Sequence, residues 1–538
     1  MTRQAIIHVE NTEGVVDFAK FLSEFGWTIL SANRTEELLK NAKIPVIKEH
    51  ALVENNLYLN DTSDLIKRIM SSTFYTEPSE RNPEKENIGL ICMNVIPTIH
   101  SINSEKKLKS VTRPFNFYVS TILRNAFINY ENVLILSDPA DYKEAMVQLR
   151  TNSVDPNFRT YLAAKALNLV SAFDGGIASS ILMAPKGKKD FMNYLTYPFE
   201  KQFTLKEGSN NQQKACLYKF PEGGGTIGSL QKQKGRELPY NTISDISFAW
   251  EQISMVSTNL KNQFSVKSTN CDGYHFVTQF TPLTGTVFTI AVKNKSILGA
   301  SLSTNILDSF KNTYTYDTQN IKGATLASSS VIDEAAATEI IKCGFSALVA
   351  PGFTQEAKTI LDSEKNLNII QIAKITTADY DMELINGGLL FQTKDNTLFE
   401  HWDIKTKNRP GQPLVDQMAF GTILSMGSRS YSAVLLKNNS VVGISQSCKT
   451  PARAIEVALS EAITHKEQNV GQYEDNTIAD VLVCDSAIPL CDSIKKLADE
   501  GLKAIIHAGG TPQDAEFIEY CNTHLISMIF TGMTHISC

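Results

Sequence analysis

Residues 266–273 read Val-Lys-Ser-Thr-Asn-Cys-Asp-Gly and set a lysine, hydroxyls, an amide and a carboxylate ahead of a glycine. That grouping is expected where a chain turns to face a ligand, and Lys267 would stabilise negative charge there. An ordinary polar turn has the same composition. A second candidate, Gly223-Gly224-Gly225-Thr226-Ile227-Gly228-Ser229, invites comparison with a phosphate loop, but it lacks the GK[ST] ending and no apolar strand precedes it. It reads as a flexible surface loop. The nine histidines form no i, i+4 pair on a helix, and no H-x-E joined to P-C-x-x-C occurs, so a zinc deaminase is excluded and no metal is expected.

The elements that must position such residues alternate between strand and helix. Ala5–Val9 is a short apolar run ended by Glu10-Asn11-Thr12-Glu13-Gly14, after which Val15, Phe18, Ala19, Leu22 and Phe25 repeat at helical spacing. Trp27–Leu30 is the next strand, closed by Ser31-Ala32-Asn33-Arg34-Thr35, and Leu38 and Leu39 begin another helix. This order predicts a parallel α/β sheet with the loops at 10–14 and 31–35 side by side at the strand C-terminal ends. Ile88–Val95 and Val133–Pro139 read as further buried strands, Val119–Tyr130 as a helix, and Ser79–Asn87 as a charged surface loop. A helix from Phe248 through Ile253 leads into the lysine stretch. After Val292 the chain repeats itself, because Gly344–Thr354 resembles Gly501–Thr511, which suggests two similar α/β lobes.

At 538 residues the chain exceeds what one core supports, and about two to four domains are expected. The formal charge of -6 and a pI near 5.9 supply no basic field for nucleic acid. Nine scattered cysteines with no CxxC spacing argue for a reducing compartment rather than a disulfide framework. The N-terminus reaches a charge too soon for a signal peptide, and no apolar run is long enough to cross a bilayer, so the expected location is the cytoplasm.

Domain order, length and several segments resemble the bifunctional purine-biosynthesis family, AICAR formyltransferase/IMP cyclohydrolase. The resemblance implies a methylglyoxal-synthase-like parallel α/β domain at 1–198 and a duplicated, cytidine-deaminase-like formyltransferase domain at 199–538. It also implies a homodimer with sites at the subunit interface. The family's first loops, S-D-K-T-G and S-T-G-G-T, stand here as Glu10–Gly14 and Ser31–Thr35, with Thr12 for the lysine and Asn33 and Arg34 for the paired glycines. Arg34 offers charge in their place or stands solvated. The N-L-Y-P tyrosine is Ile96, the D-I-G-G aspartate falls at Asn116, and the lysine of R-A-A-A-K-N-H is Ile128. No D-G-R-V-K-T-L-H-P occurs between Leu52 and Pro78. Losing these groups removes the means of polarising a carbonyl and moving its protons, so the first domain is expected to keep the fold without cyclohydrolase chemistry.

In the second half, Leu205-Lys206-Glu207-Gly208 through Ala215 resembles L-R-Y-G-E-N-P-H-Q-K-A, with Lys206 for the phosphate-binding arginine and Glu207 for the tyrosine. A lysine loses the bidentate fork and the glutamate opposes an anion, which makes a phosphorylated substrate unexpected. Gly235–Asp245 is similar to G-K-E-L-S-Y-N-N-I-L-D and brings Lys267-Ser268 into register with the catalytic K-H pair. Gly387–Gln392 resembles G-G-L-L-V-Q, a core strand; Tyr431 replaces a binding asparagine; and the arginine of G-I-G-A-G-Q-x-S-R is absent from Gly443–Pro451. Asp485, Gly509, Gly510, Gly532 and His535 persist, while Thr534 replaces an arginine.

Three readings follow from the resemblance. The first is a divergent N-formyltransferase that uses 10-formyltetrahydrofolate on a non-phosphorylated, more nucleophilic amine. In it Lys267 polarises the formyl oxygen, Ser268, Asn270 or Asp272 orients the amine, Asp485 with Gly509, Gly510 and His535 lies near the folate, and Lys206, Glu207 and Tyr431 face the acceptor. The second is a dimeric binding protein without catalysis. The third is a working purine enzyme with substitutes for every lost group.

Overall fold

The computed structural model describes residues 3–50, 59–72, 87–96, 117–151, 153–182, 191–220, 225–280, 282–375, 377–469 and 477–537. Expectations at Asn116, within 79–86, at Gly223 and Gly224, and over much of 52–78 lie outside the described residues, as does the lysine-rich stretch 186–189, in or soon after which the sequence places the end of the first domain. Contacts divide the chain into two units, Met1–Lys201 with Tyr218–Glu222, and Gln202–Leu217 with Gly223–Cys538.

The first unit is a five-stranded parallel sheet in the order β3-β2-β1-β4-β5, from β1 (Arg3–Val9), β2 (Trp27–Ser31), β3 (Ile47–Lys48), β4 (Asn87–Asn94) and β5 (Leu134–Leu136). Its central strands are almost uninterrupted apolar runs because both faces are covered. Phe18 and Leu22 of α1 (Val15–Glu24), Leu39 of α2 (Asn33–Asn41) and Ala145 of α3 (Tyr142–Arg150) pack on one side. Val119 and Ile122 of α4 (Phe117–Ile128) and Ala166 and Val170 of α5 (Pro156–Leu182) pack on the other. The loops after β1 and β2 do lie together, since the Thr35 hydroxyl accepts from Val9 N at 3.1 Å. The second loop is shorter than expected: Asn33, Arg34 and Thr35 already form the first turn of α2.

The second unit is organised by a fourteen-stranded mixed sheet. Within it one succession occurs twice. The first lobe runs β6 (Val287–Lys293), β7 (Ser296–Ser303), α6 (Ile306–Tyr316), β8 (Thr325–Ser328), α7 (Glu334–Ile340), β9 (Ala347–Ala350), α8 (Gln355–Leu361), β10 (Asn368–Gln371). The second runs β11 (Ala433–Lys437), β12 (Ser440–Ser445), α9 (Pro451–Gln468), β13 (Val481–Cys484), α10 (Asp492–Asp499), β14 (Ala504–His507), α11 (Asp514–Thr523), β15 (Ser527–Phe530). Each is an antiparallel hairpin followed by three parallel strands.

The likeness reaches details. Both hairpins turn on two left-handed residues, Asn294 and Lys295 with φ 53 and 59, and Asn438 and Asn439 with φ 50 and 58, the geometry that matches strand twist. A buried carboxylate receives the turn in each: Asp245 accepts from Asn294 N and Lys295 N at 3.0 and 2.7 Å, and Asp480 from Asn438 N at 3.1 Å. Both hairpins carry a register shift at corresponding places. A glycine lies against the following helix in each, where a Cβ at Gly299 would meet the Thr313 carbonyl and one at Gly443 the Ala458 carbonyl. In the sheet the lobes meet where β7 lies beside β12, with Ser301 opposite Ser440 and Leu302 N donating to the Asn439 carbonyl at 2.9 Å.

Helices Tyr240–Asn259 and Gln412–Gly427 share a core over one sheet face, with Trp250 and Phe420 fully buried. The other face carries a separate core in each lobe. Three expectations require revision. Residues 225–228 form a single helical turn rather than open loop. Lys267 lies within the strand Phe264–Thr269, and only the residues after it turn. Gly388–Thr393 is not core: among the described residues it pairs only with Tyr380–Ile385 in a two-stranded ribbon, with Leu384 86% and Leu390 55% exposed. An apolar strand reads the same whether its own core or another surface covers it.

Candidate active site

The strand Phe264–Thr269 pairs antiparallel with His275–Phe280, Lys267 opposite Val277 and Thr269 opposite His275. Alternation turns Lys267 outward and buries Ser268. The Ser268 hydroxyl is hydrogen-bonded to Thr278 Oγ1 at 2.6 Å and donates to the Val266 carbonyl. Asn270 is the keystone of the turn: its Oδ1 accepts from Asp272 N at 3.1 Å and Tyr274 N at 2.8 Å, and its Nδ2 donates to the Asp272 carboxylate. Gly273, at φ 83, closes the turn in a conformation that favours glycine. Of the four expected catalytic residues, Lys267 alone presents its charge to a cleft, whereas Ser268 and Asn270 hold the hairpin together.

That cleft, of about 360 Å³, is lined by Lys267, Ser268, Thr269, His275, Phe276, His401 and Asp403. His275 and His401 have no sequence motif to announce them. They arrive by register. The strand Trp402–Ile404 lies parallel beside Phe264–Thr269, with Trp402 next to Ser268 and Asp403 next to Thr269, and antiparallel to β15, with Asp403 next to Phe530. Thr269 Oγ1 and His275 Nδ1 are 3.1 Å apart, and Asp403 accepts from Lys405 Nζ at 3.1 Å.

Two to four strands away, at the C-terminal ends of β15 to β13, lie most of the remaining expected residues. Asp485 is 1% exposed; its Oδ2 accepts from Ser432 N at 2.8 Å and Ser432 Oγ at 3.1 Å, and its Oδ1 has no partner among the described residues. Ser486 Oγ and His507 Nε2 are likewise buried without partners. His507 Nδ1 accepts from Gly509 N at 3.1 Å, so the proton of the neutral ring sits on Nε2, and burial lowers the pKa to about 4. The Gly509 and Gly510 N–H groups are engaged by His507 and Asp514. His535 faces acceptors at both ring nitrogens, Asp395 Oδ2 at 2.7 Å and the Leu398 carbonyl at 3.1 Å. Tyr431 adjoins Ser432 and packs on the second-lobe core. Lys206 is exposed and Glu207 half-buried at the end of the strand Glu200–Leu205, and no hydrogen bond ties either to the cleft residues.

The strand order joins the two places. From Asp485 after β13, past Gly509 after β14 and Gly532 after β15, to His401 and Lys267, the row crosses four strand spacings, roughly 19 Å. Among the described residues no three His, Cys, Asp or Glu side chains gather to hold a metal ion, and no helix is long and apolar enough to cross a membrane.

In the first unit the corresponding strand ends are closed by side chains. Asn94 Oδ1 accepts from Glu10 N and Asn11 N at 2.8 and 2.9 Å, and the Glu10 carboxylate accepts from Ile96 N at 2.8 Å. A carboxylate therefore sits where the loops would otherwise offer N–H groups to an anion. Arg34 is exposed. Burial lowers the His8 pKa to about 4, and its Nε2 lies 2.6 Å from the Tyr118 hydroxyl.

Among known proteins, the chain is 28% identical over 543 residues to the bifunctional purine biosynthesis protein PurH of Clostridium acetobutylicum, covering 99% of each. It is 27% identical over 544 residues to that of Petrotoga mobilis, again over 99% of both chains. A solved structure titled "Crystal structure of ForH" overlaps 34% of this chain and all of its own at 21% identity and a TM-score of 0.28, too slight a likeness to bear on fold or function. The family model described as AICARFT/IMPCHase bienzyme matches residues 126–461, well over half the chain. The chain thus belongs to the AICARFT/IMPCHase bienzyme family.

Proposed function

We propose that the second unit is an N-formyltransferase that takes its one-carbon group from 10-formyltetrahydrofolate and passes it to a non-phosphorylated amine, and that the first unit has lost cyclohydrolase chemistry. The observation that carries this reading is Lys267, whose ammonium faces an open cleft while its neighbours hold the hairpin. Bound folate would supply the activated formyl group. The unpartnered Asp485 Oδ1, Ser486 Oγ and His507 Nε2 suit a ligand bearing both donors and acceptors, and these residues would hold it. Lys267 would hold the charge that develops on the formyl oxygen. Glu207 beside Lys206, and Glu10 in the first unit, support a non-phosphorylated acceptor and a phosphate-free first unit.

The apolar ribbon supports a homodimer. An isolated two-stranded ribbon is marginal in water, and Met382, Leu384, Ile385 and Leu390 are all exposed, so a second copy would cover it. The described cysteines are all free, in keeping with a reducing cytoplasm.

Calorimetric titration with 10-formyltetrahydrofolate tests the central claim. The wild type should bind it, and Lys267→Ala should bind it comparably while losing about 10²–10³-fold in transfer to amines. A wild type that binds no folate would sink the formyltransferase in favour of a binding protein, and formylation of AICAR at an ordinary enzyme rate would restore the purine reading. For the ribbon, sedimentation should show a dimer that Leu384→Asp with Leu390→Asp converts to monomer; a wild-type monomer refutes it.

A further inference from the structure

The family writes its lysine and histidine as adjacent residues, and Ser268 stands here where that histidine belongs. We infer that His401, from the neighbouring strand, supplies the missing base. This inference rests on the formyl-transfer reading. Trp402 lies beside Ser268 and Asp403 beside Thr269 in parallel register, which sets His401 beside Lys267 on the same face, their Cα atoms about 4.8 Å apart. His401 N donates to the Thr531 carbonyl at 3.1 Å, continuing the pairing to β15. Its ring rests over Gly532, where a Cβ would meet it, so glycine at 532 leaves the ring room to lie against the sheet. Both His401 and Lys267 line the cleft. His275 shares the cleft but sits one level away, opposite Thr269 and hydrogen-bonded to it.

The charged groups around His401 suit the task. Lys267 stands on its own level, and Glu400 Oε2 is 3.9 Å from His401 Nε2. Asp403 is drawn away by Lys405, and His275 faces the same cleft from the far strand. In the transfer one proton leaves the attacking amine as its nitrogen bonds to the formyl carbon, and one proton reaches the donor nitrogen as its bond to that carbon breaks. His401 takes the first at its ring nitrogen and delivers the second, ending as it began. Lys267 holds the charge on the oxygen in between, and no oxidant or further reactant is required.

The test combines kinetics with a readout independent of turnover. His401→Gln should keep folate affinity within about threefold, lose about 10²–10⁴-fold in transfer and lose the ascending limb of the pH profile, with partial rescue of His401→Ala by added imidazole. In the intact protein, Lys267→Met should move the His401 ring resonances in NMR spectra, since the two side chains share one cleft. Folate binding together with an unchanged pH limb in His401→Gln overturns the base assignment alone. His401 ring resonances unmoved by Lys267→Met overturn the pairing. Absence of folate binding by the wild type overturns the formyl-transfer reading itself.

Discussion

In the first lobe Ser329 follows β8 and its hydroxyl accepts from Phe288 N at 2.9 Å; in the second, Asp485 follows β13 and its Oδ2 accepts from Ser432 N at 2.8 Å. The register makes these the same position, for Ser328 lies opposite Thr289 as Cys484 lies opposite Ala433. A hydroxyl suffices for the backbone. The carboxylate does the same work and leaves Oδ1 buried without a partner. One strand over, Ala350 of the first lobe corresponds to His507 of the second, which again leaves a buried polar atom unmatched. Two frames alike in hairpin, bulge and crossing glycine thus differ at one edge, and burying unsatisfied polar atoms there is the kind of local cost that binding sites carry.

Acid should separate the lobes most. Residues 287–371 contain no histidine, whereas the second lobe buries His465 and His507, each held neutral with a pKa of about 4, by burial in both and by the Lys437 charge as well in His465. A base whose folded pKa is depressed stabilises fully above its unfolded value and loses that contribution as pH falls through the folded one. From pH 6.5 to 4 each should withdraw about 3 kcal/mol, so hydrogen exchange should show the second lobe losing protection first. Equal loss in both lobes would undo the contrast.

The shared frame predicts the opposite, equality, at its glycines. Gly299→Ala and Gly443→Ala each push a Cβ into a helix carbonyl and should each cost about 1–3 kcal/mol by denaturant unfolding. A large effect in only one would mean the frames are less alike than their register.

The gentlest test makes one edge resemble the other. Asp485→Ser should hold Ser432 N as Ser329 holds Phe288 N, leave Tm nearly unchanged, and weaken folate binding about 10–100-fold by calorimetry. Unchanged affinity would reduce Asp485 to scaffold.

The alternating elements, the parallel first sheet and the doubled segment at Gly344 and Gly501 were legible because periodicity and turn residues are local signals. The polar stretch around Lys267 was visible as a candidate. Its surroundings were not, because His401 joins the same cleft through strand pairing between residues far apart in the chain. Nor could sequence say that Asn270 is occupied by its own turn, since a carboxamide that binds a ligand and one that binds a backbone are the same residue. The ribbon at Gly388–Thr393 misled for a related reason: apolar character reports that something covers a strand, not what.

The seam between the lobes bears on how the protein is made. Within the sheet β7 and β12 join the lobes over a short stretch, with Ser301 opposite Ser440 and Leu302 N donating to the Asn439 carbonyl at 2.9 Å. On the ribosome the first half, finished at Gln371, emerges before Ala433 begins the second, and β7 waits as an open edge until its sibling arrives. A nascent chain in that interval carries a template for pairing with its neighbours on the same messenger, and the order in which the lobes appear makes the seam the place where misassembly between chains would begin.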